Sequence, residues 1–145
     1  MAEYIYIPEQ TVEYRQGVLL NGSYPCNRGS VLHQDGSSIF TLRGPSTMSG
    51  QCSARYQITF VGNIAVPTGG TVGEISLSVA QNGEALGQSL GAFTPAAVDQ
   101  FGNVVATTYI TVPIACCQNV SIQNTSSTAE SITVRNANLV ITRIA

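Results

Sequence analysis

The sequence predicts an all-β sandwich, and two stretches carry that prediction. In ARYQITFVGNIAV, which begins at Ala54, large apolar residues alternate with polar ones, as expected of a strand buried on one face. In GEISLSVAQNG, which ends at Gly83, Ile, Leu and Val alternate with the solvent-directed Ser76 and Ser78, and Asn82-Gly83 favours a type I′ hairpin turn. No segment shows a sustained period of 3.6 residues. We therefore expect about ten strands in two sheets.

The remaining elements follow from short apolar runs separated by turn residues. Besides the two runs above, we predict strands at residues 4–7, 18–20, 30–33, 39–42, 88–93, 104–112, 119–124, 131–135 and 139–144. Residues 94–98 are predicted to form one helical turn, with Thr94 as its cap and Pro95 at its first position.

Composition narrows the possible functions. The chain has 145 residues, enough for one domain with its own core. Charged residues make up 10% of it, against about 25% in an ordinary domain, and its six basic residues are scattered arginines. We expect no nucleic-acid binding, because phosphate contacts need clustered positive charge. We also expect no membrane span, since no run of 18 apolar residues exists. The first ten residues lack the features of a secretory signal, so synthesis in the cytoplasm without a signal peptide is expected.

The N-terminal segment departs from simple alternation. Tyr4, Ile5, Tyr6 and Ile7 are all large and mostly apolar, so a strand covered on one face only would expose half of them. Two interpretations remain open: a central strand of the domain, or an arm covered by another subunit or surface. We therefore assign residues 1–9 to an N-terminal arm or first strand, and residues 10–145 to a single domain.

The sequence gives little support to catalysis. His33 is the single histidine, and Asp35, two positions later, could orient it only through an unusual bend. The eight carboxylates include no close sequence pair. We predict that the protein is not an enzyme.

The four cysteines do not form a recognisable metal motif. Cys26, Cys52, Cys116 and Cys117 could join His33 in a zinc site, but the short spacing of compact zinc sites is missing. A disulfide between Cys26 and Cys52 is compatible with release from the cell, whereas reduced thiols are the cytosolic default. The glycine-rich residues 67–73 match no nucleotide-binding pattern. We expect no metal and no cofactor.

Several stretches together resemble a known family. The hairpin LSVAQNGEAL and the terminal ANLVITRIA are similar to the C1q/tumour-necrosis-factor-like jelly roll, and VLLNGSYPCNRGSVLHQDGSSIFTLRG and VPIACCQNVSIQNTS resemble its short stand-alone version in gut Firmicutes and their bacteriophages. The likeness runs from about Gln10 to Ala145. It implies a homotrimer of ten-stranded protomers and, in a phage setting, a structural component of the virion.

The resemblance suggests a capsid decoration protein, which would bind and stabilise the phage head by contacting the major capsid protein. The residues expected to dock on the capsid are Tyr4, Ile5, Tyr6 and Ile7. Those expected to pack in the core or at the threefold axis are Tyr56, Phe60, Tyr109, Leu139 and Ile141. Deleting residues 1–8 is expected to weaken capsid attachment while leaving the fold intact.

The alternative function is a carbohydrate- or receptor-binding module of a phage fibre or bacterial surface adhesin. Its candidate sugar-stacking residues are Tyr14, Tyr24, Phe101 and Tyr109. Tryptophan is absent, which lowers this expectation, because sugar platforms favour large flat rings.

Overall fold

The computed structural model describes residues 2–22, 30–115, 117–128 and 130–145, and within these ranges the chain forms two antiparallel sheets. The strands are β1 (Ala2–Tyr6), β2 (Gln10–Val12), β3 (Asn21–Gly22), β4 (Val31–His33), β5 (Phe40–Arg43), β6 (Ser53–Ala65), β7 (Ile75–Gln81), β8 (Glu84–Ala85), β9 (Gly91–Phe93), β10 (Gly102–Pro113), β11 (Cys117–Asn124) and β12 (Ile132–Arg143). A 3₁₀ helix covers Gly87–Ser89. Among the described residues, no helix has the length and apolar character needed to cross a membrane.

The first sheet has the order β10-β6-β12-β1-β3, with β2 paired to the early part of β12. Its longest ladder joins β6 to β10, from Ser53 opposite Pro113 to Ile64 opposite Gly102. The predicted alternation in β6 is confirmed, because its apolar set points into the core and its polar set points outward. Tyr56 is fully buried, and its hydroxyl donates to the Arg43 carbonyl oxygen of the second sheet at 2.5 Å, so its one polar group is paired.

The second sheet has the order β4-β5-β11-β7-β8, with β9 paired to β7. Its Asn82-Gly83 turn has φ values of +52° and +86°, which confirms the predicted positive-φ turn. Ser76 and Ser78 correct the prediction for β7, because both are buried rather than solvent-exposed. The segment after β11 reaches them: the Ser76 amide donates to Ser126 Oγ, and both serine hydroxyls lie within hydrogen-bond distance of Thr125 Oγ1.

The N-terminal segment is a strand of the domain. β1 lies between β12 and β3, with Tyr4 opposite both Leu139 and Gly22. Tyr4 is buried in the core, which corrects the docking prediction for this residue, since it faces the second sheet and not a partner. Ile5 and Tyr6 are partly exposed, and Ile7 is exposed. Removing residues 1–8 would therefore take a strand out of the first sheet, so the structure leads us to expect that this deletion destabilises the fold.

The strand predicted at residues 18–20 does not form, since Leu20 makes only an isolated bridge to Ser37, and the strand predicted at residues 88–93 is limited to β9. Two further local predictions are wrong. Residues 131–135 and 139–144 are not separate strands but parts of β12, whose register shifts at a bulge between Arg135 and Asn138. Asn136 lies in that bulge with φ of +53°, and this left-handed residue lets one strand bend without ending. The second wrong prediction is the helical turn at residues 94–98. Those residues form bends and turns, and Gln100 Oε1 accepts the Ala96 amide there.

The core lies between the two sheets. Of the predicted packing residues, Tyr56, Phe60, Leu139 and Ile141 are at most 1% exposed and face the second sheet. They therefore stabilise the protomer itself. The fifth, Tyr109, is 51% exposed and points away from the core.

Candidate self-association surface

The outer face of the first sheet is a broad surface made of aligned side chains. Residues that alternate with the core positions form three rungs across the strands. The rungs are Val105-Val61-Asn138-Ile5-Asn21, Thr107-Thr59-Val140-Glu3 and Tyr109-Gln57-Thr142. We call this surface the outer face. The three rungs hold twelve residues; at about 4.8 Å between strands and about 6.6 Å between rungs, they cover roughly 400 Å².

The outer face carries little charge. Of the residues in the three rungs, Glu3 is the one with an acidic or basic side chain, and its Oε2 accepts from Asn138 Nδ2 at 3.4 Å. Neighbouring strands pair their polar groups with each other: the hydroxyl oxygens of Thr59 and Thr107 lie 3.2 Å apart. Because these groups already have partners, covering them costs less than burying unpaired polar atoms.

Apolar side chains concentrate toward the β10 edge. Val105 is 48% exposed, and Tyr109 lies two rungs away with the Arg55 guanidinium carbon 5.0 Å from its ring centroid. Leu90, 49% exposed, precedes Gly91, which packs against the backbone of Val105. A Cβ on Gly91 would lie 2.5 Å from the Val105 carbonyl oxygen, so only glycine permits this approach. The edge and the face together expose Val105, Tyr109 and Leu90, while the apolar Val61, Ile5 and Val140 of the face are partly exposed.

The predicted sugar-stacking aromatics do not share one platform. Phe101 precedes β10 and Tyr109 lies near its other end, about 26 Å away along an extended strand. The Arg135 guanidinium carbon sits 3.7 Å from the Phe101 ring centroid, which covers one face of that ring. Tyr14 lies beside Arg15, and Tyr24 is outside the described residues.

The candidate catalytic and metal-binding residues are also separate. His33 directs both ring nitrogens at backbone carbonyl oxygens, of Leu20 and Ile39, and Asp35 Oδ1 accepts the Gly22 amide. Cys52 and Cys117 are exposed, while Cys26 and Cys116 lie outside the described residues. Within the described ranges, no three His, Cys, Asp or Glu side chains lie close enough together to hold a metal ion.

The sequence alone did not reveal the outer face as a unit. The alternation in β6 and β10 identifies which residues point outward, but the rungs depend on the pairing of β12 and β1, which are separated by more than 130 residues. The sequence feature that could have indicated this surface is the run of large residues in EYIYI, which predicts a strand covered on both faces. In the structure, Tyr4 packs in the core and Ile5 lies on the outer face.

Comparison with solved structures identifies the fold. No protein-family model and no curated protein sequence matches the chain. The globular domain of zebrafish complement 1qA protein superposes with a TM-score of 0.61 at 14% identity, over 96% of this chain and 94% of that one. Eiger TNF from S. frugiperda gives 0.67 at 8% identity, over 100% and 92%. Murine APRIL gives 0.51 at 10% identity, over 95% and 97%. The chain therefore has the C1q/TNF-like jelly-roll fold, as the sequence predicted.

Proposed function

We propose that this protein is a non-catalytic binding module that assembles as a homotrimer through its outer face, and that the trimer decorates a bacteriophage head. The observation that supports assembly is the charge-poor outer face, with Val105, Val61, Ile5 and Val140 on adjoining rungs. Its area of roughly 400 Å² supplies about half of the about 800 Å² that each partner buries in a standard interface.

A cyclic trimer needs two different surfaces on each protomer. A head-to-tail contact repeated by a threefold rotation brings one patch of each subunit against another patch of the next. The β10 edge, with Leu90 and Tyr109, supplies one patch, and the part of the outer face on β12 and β1 supplies the other. The resemblance to the C1q/TNF-like family, which implies trimers, agrees with this arrangement.

Capsid decoration is the role that we propose for the assembled trimer. Threefold symmetry matches the local threefold positions of an icosahedral shell, and repeated contacts would add binding free energy over the whole head. With Tyr4 in the core, Ile7 remains from the predicted docking segment as a freely exposed apolar side chain, together with the partly exposed Ile5 and Tyr6. Ile5 also lies on the proposed trimer face and Tyr6 packs against the core, so Ile7 is the residue that we assign to the major capsid protein.

The interface is tested with a matched pair of substitutions. Val105→Glu places a carboxylate on the outer face, whereas Val72→Glu places it at a similarly exposed valine, 43% against 48%, in the loop between β6 and β7. Sedimentation velocity is expected to show that V105E dissociates and that V72E keeps the wild-type mass. An unchanged mass for V105E would remove the outer face from the interface.

The decoration role is tested by quantitative mass spectrometry of purified phage particles from the source strain. We expect a copy number comparable to that of the major capsid protein. A handful of copies, or none, would contradict decoration and favour the alternative role as a fibre or adhesin module that binds a receptor or carbohydrate.

A further inference from the structure

Three of the five arginines that the structure describes meet at one end of the sandwich, although they are far apart in sequence. Arg55 precedes Tyr56 on β6, and Arg143 lies opposite Tyr56 on β12. The Tyr56 hydroxyl reaches the second sheet and donates to the carbonyl oxygen of Arg43, the last residue of β5, at 2.5 Å. All three arginines are exposed. We call this part of the surface the arginine end.

Most carboxylates lie at the opposite end, where β12 and β5 begin. All eight belong to described residues, since the undescribed ones include no Asp or Glu. Glu3 lies opposite Val140, and its carboxylate accepts from Asn138, on the side away from the arginine end. Glu84 lies on β8, three strands from β5. The other six flank the remote strand ends: Glu9, Glu13, Asp35, Glu74, Asp99 and Glu130. The two ends of the sandwich therefore carry opposite charge.

No Asp or Glu side chain within the described ranges neutralises the arginine end. The ion pair found there joins Arg135 to Glu9, at the opposite end. Arg143 donates to Gln51 Oε1 at 2.9 Å and to the Ala145 backbone oxygen at 3.2 Å, and the Arg55 guanidinium lies over the Tyr109 ring. Positive charges that are held at one end repel one another, and a negatively charged partner would remove that repulsion.

Exposed apolar side chains surround the same arginines. Met48, in the loop between β5 and β6, is 95% exposed, and Ile114 and Ile144 are also exposed. The Ile114 amide donates to the Cys52 carbonyl and the Ile144 amide to the Arg55 carbonyl, which places both isoleucines beside the start of β6. Arginine and methionine are enriched in protein–protein interfaces, and methionine adapts to partners of varied shape. This mixture fits a protein surface better than a uniformly charged polymer.

We propose that the arginine end is a docking site for an acidic, partly apolar surface of a second protein, in which the arginines pair with carboxylates and Met48 contacts apolar side chains. The planar guanidinium matches a carboxylate with two parallel hydrogen bonds. The acidic end repels such a partner and steers it to the arginine end. Ile7, which we assign to the capsid, accepts from the Asn136 amide, seven positions and about 23 Å along β12 from Arg143, so both contacts can form at once.

Fluorescence anisotropy with a fluorescein-labelled oligoglutamate peptide tests the charged part of the site. The wild type is expected to bind it saturably at low ionic strength and more weakly as salt is added. The double variant R43Q/R143Q should weaken binding about tenfold. R15Q/R135Q has the same net charge but loses its arginines from the acidic end, so it should stay within about twofold of the wild type. No saturable binding by the wild type, or equal losses in the two double variants, would overturn the proposal.

Two further probes separate a protein partner from other polyanions. An oligothymidylate of the same length should bind more weakly than oligoglutamate, and tighter binding would assign the site to single-stranded nucleic acid instead. An oligoglutamate with one central leucine should bind more tightly than the plain peptide, and Met48→Ser should remove that gain; equal affinity of the wild type for both peptides would overturn the apolar contact. Arg43 and Arg143 lie outside the three rungs, so R43Q/R143Q should keep the wild-type mass in sedimentation, which separates this site from the trimer interface. If the double variant does not fold, R43Q and R143Q are compared singly with R15Q.

Discussion

Replacing Asn124 with alanine should destabilise the protomer more than any surface asparagine substitution. Asn124 is fully buried at the end of β11, and its side chain makes four hydrogen bonds. Nδ2 donates to the carbonyl oxygens of Val12 and Glu130 at 3.0 and 2.9 Å. Oδ1 accepts from the Ser126 amide at 3.0 Å and from Ser126 Oγ at 2.7 Å. One side chain thus joins β2, β11 and the segment that leads into β12.

The magnitude follows from those four bonds. Each hydrogen bond has a net value of about 1 kcal/mol, so losing four lowers the free energy of unfolding by about 4 kcal/mol. In the variant, the groups that were bonded to Asn124 stay buried and find no other hydrogen-bond partner in the protein or in water. This is a large part of the about 5–15 kcal/mol that stabilises a typical domain. A shift of about 3 °C per kcal/mol gives a Tm lowered by about 12 °C.

The control is Asn119→Ala on the same strand. Asn119 is exposed, and its Oδ1 accepts a single bond from Thr41 Oγ1 at 3.1 Å, so N119A should cost about 0.5 kcal/mol or less. Both variants are compared with the wild type by urea unfolding at one protein concentration, because oligomer stability depends on concentration. The reasoning is refuted if N124A loses no more than about 1 kcal/mol relative to N119A.

Three further predictions concern the strand β1, the close packing of Gly91 against β10, and the buried Tyr4. Deleting residues 2–8 should yield no folded protein by circular dichroism, because loss of β1 exposes one edge of β12 between Ala137 and Ile141 and removes Tyr4 from the core; a native spectrum would contradict this. Gly91→Ala should lower the Tm, since its Cβ would lie 2.5 Å from the Val105 carbonyl oxygen, whereas Gly87→Ala meets nothing within 4 Å and should leave the Tm nearly unchanged; equal shifts would count against the close approach. Because burial raises the pKa of Tyr4 from 10.0, the folded state holds that proton longer, so stability should fall as the pH rises above about 10. Tyr4→Phe should lessen this fall, and an identical alkaline profile would exclude Tyr4 as its source.

The sequence correctly predicted those features of the fold that depend on residues close together in the chain. The alternation in β6 and the Asn82-Gly83 turn depend on local periodicity and on backbone preference, and both are present as predicted. The overall jelly roll follows from many such strands together. Long-range contacts were harder to predict: Ser76 and Ser78 alternate like solvent-facing residues, yet a segment about fifty positions away covers them.

In the candidate self-association surface, too, local features could be predicted from the sequence and long-range pairing could not. From the sequence, Tyr109 was predicted to be a packing residue like Tyr56. The sequence around an aromatic residue in a strand does not show whether its side chain lies in the core or at an interface. The pairing of β10 with β6 separates them, since it turns Tyr56 inward and Tyr109 outward. The bulge in β12 was missed for a related reason, because only the partner strands show that residues on both sides of Asn136 belong to one ladder.

The mass of the native protein in solution tests the central claim most directly. Light scattering across a micromolar dilution series is predicted to give about 46 kDa, three times the 15.2 kDa of one chain. A constant mass of 15.2 kDa across the series would contradict assembly through the outer face and the decoration role that depends on it.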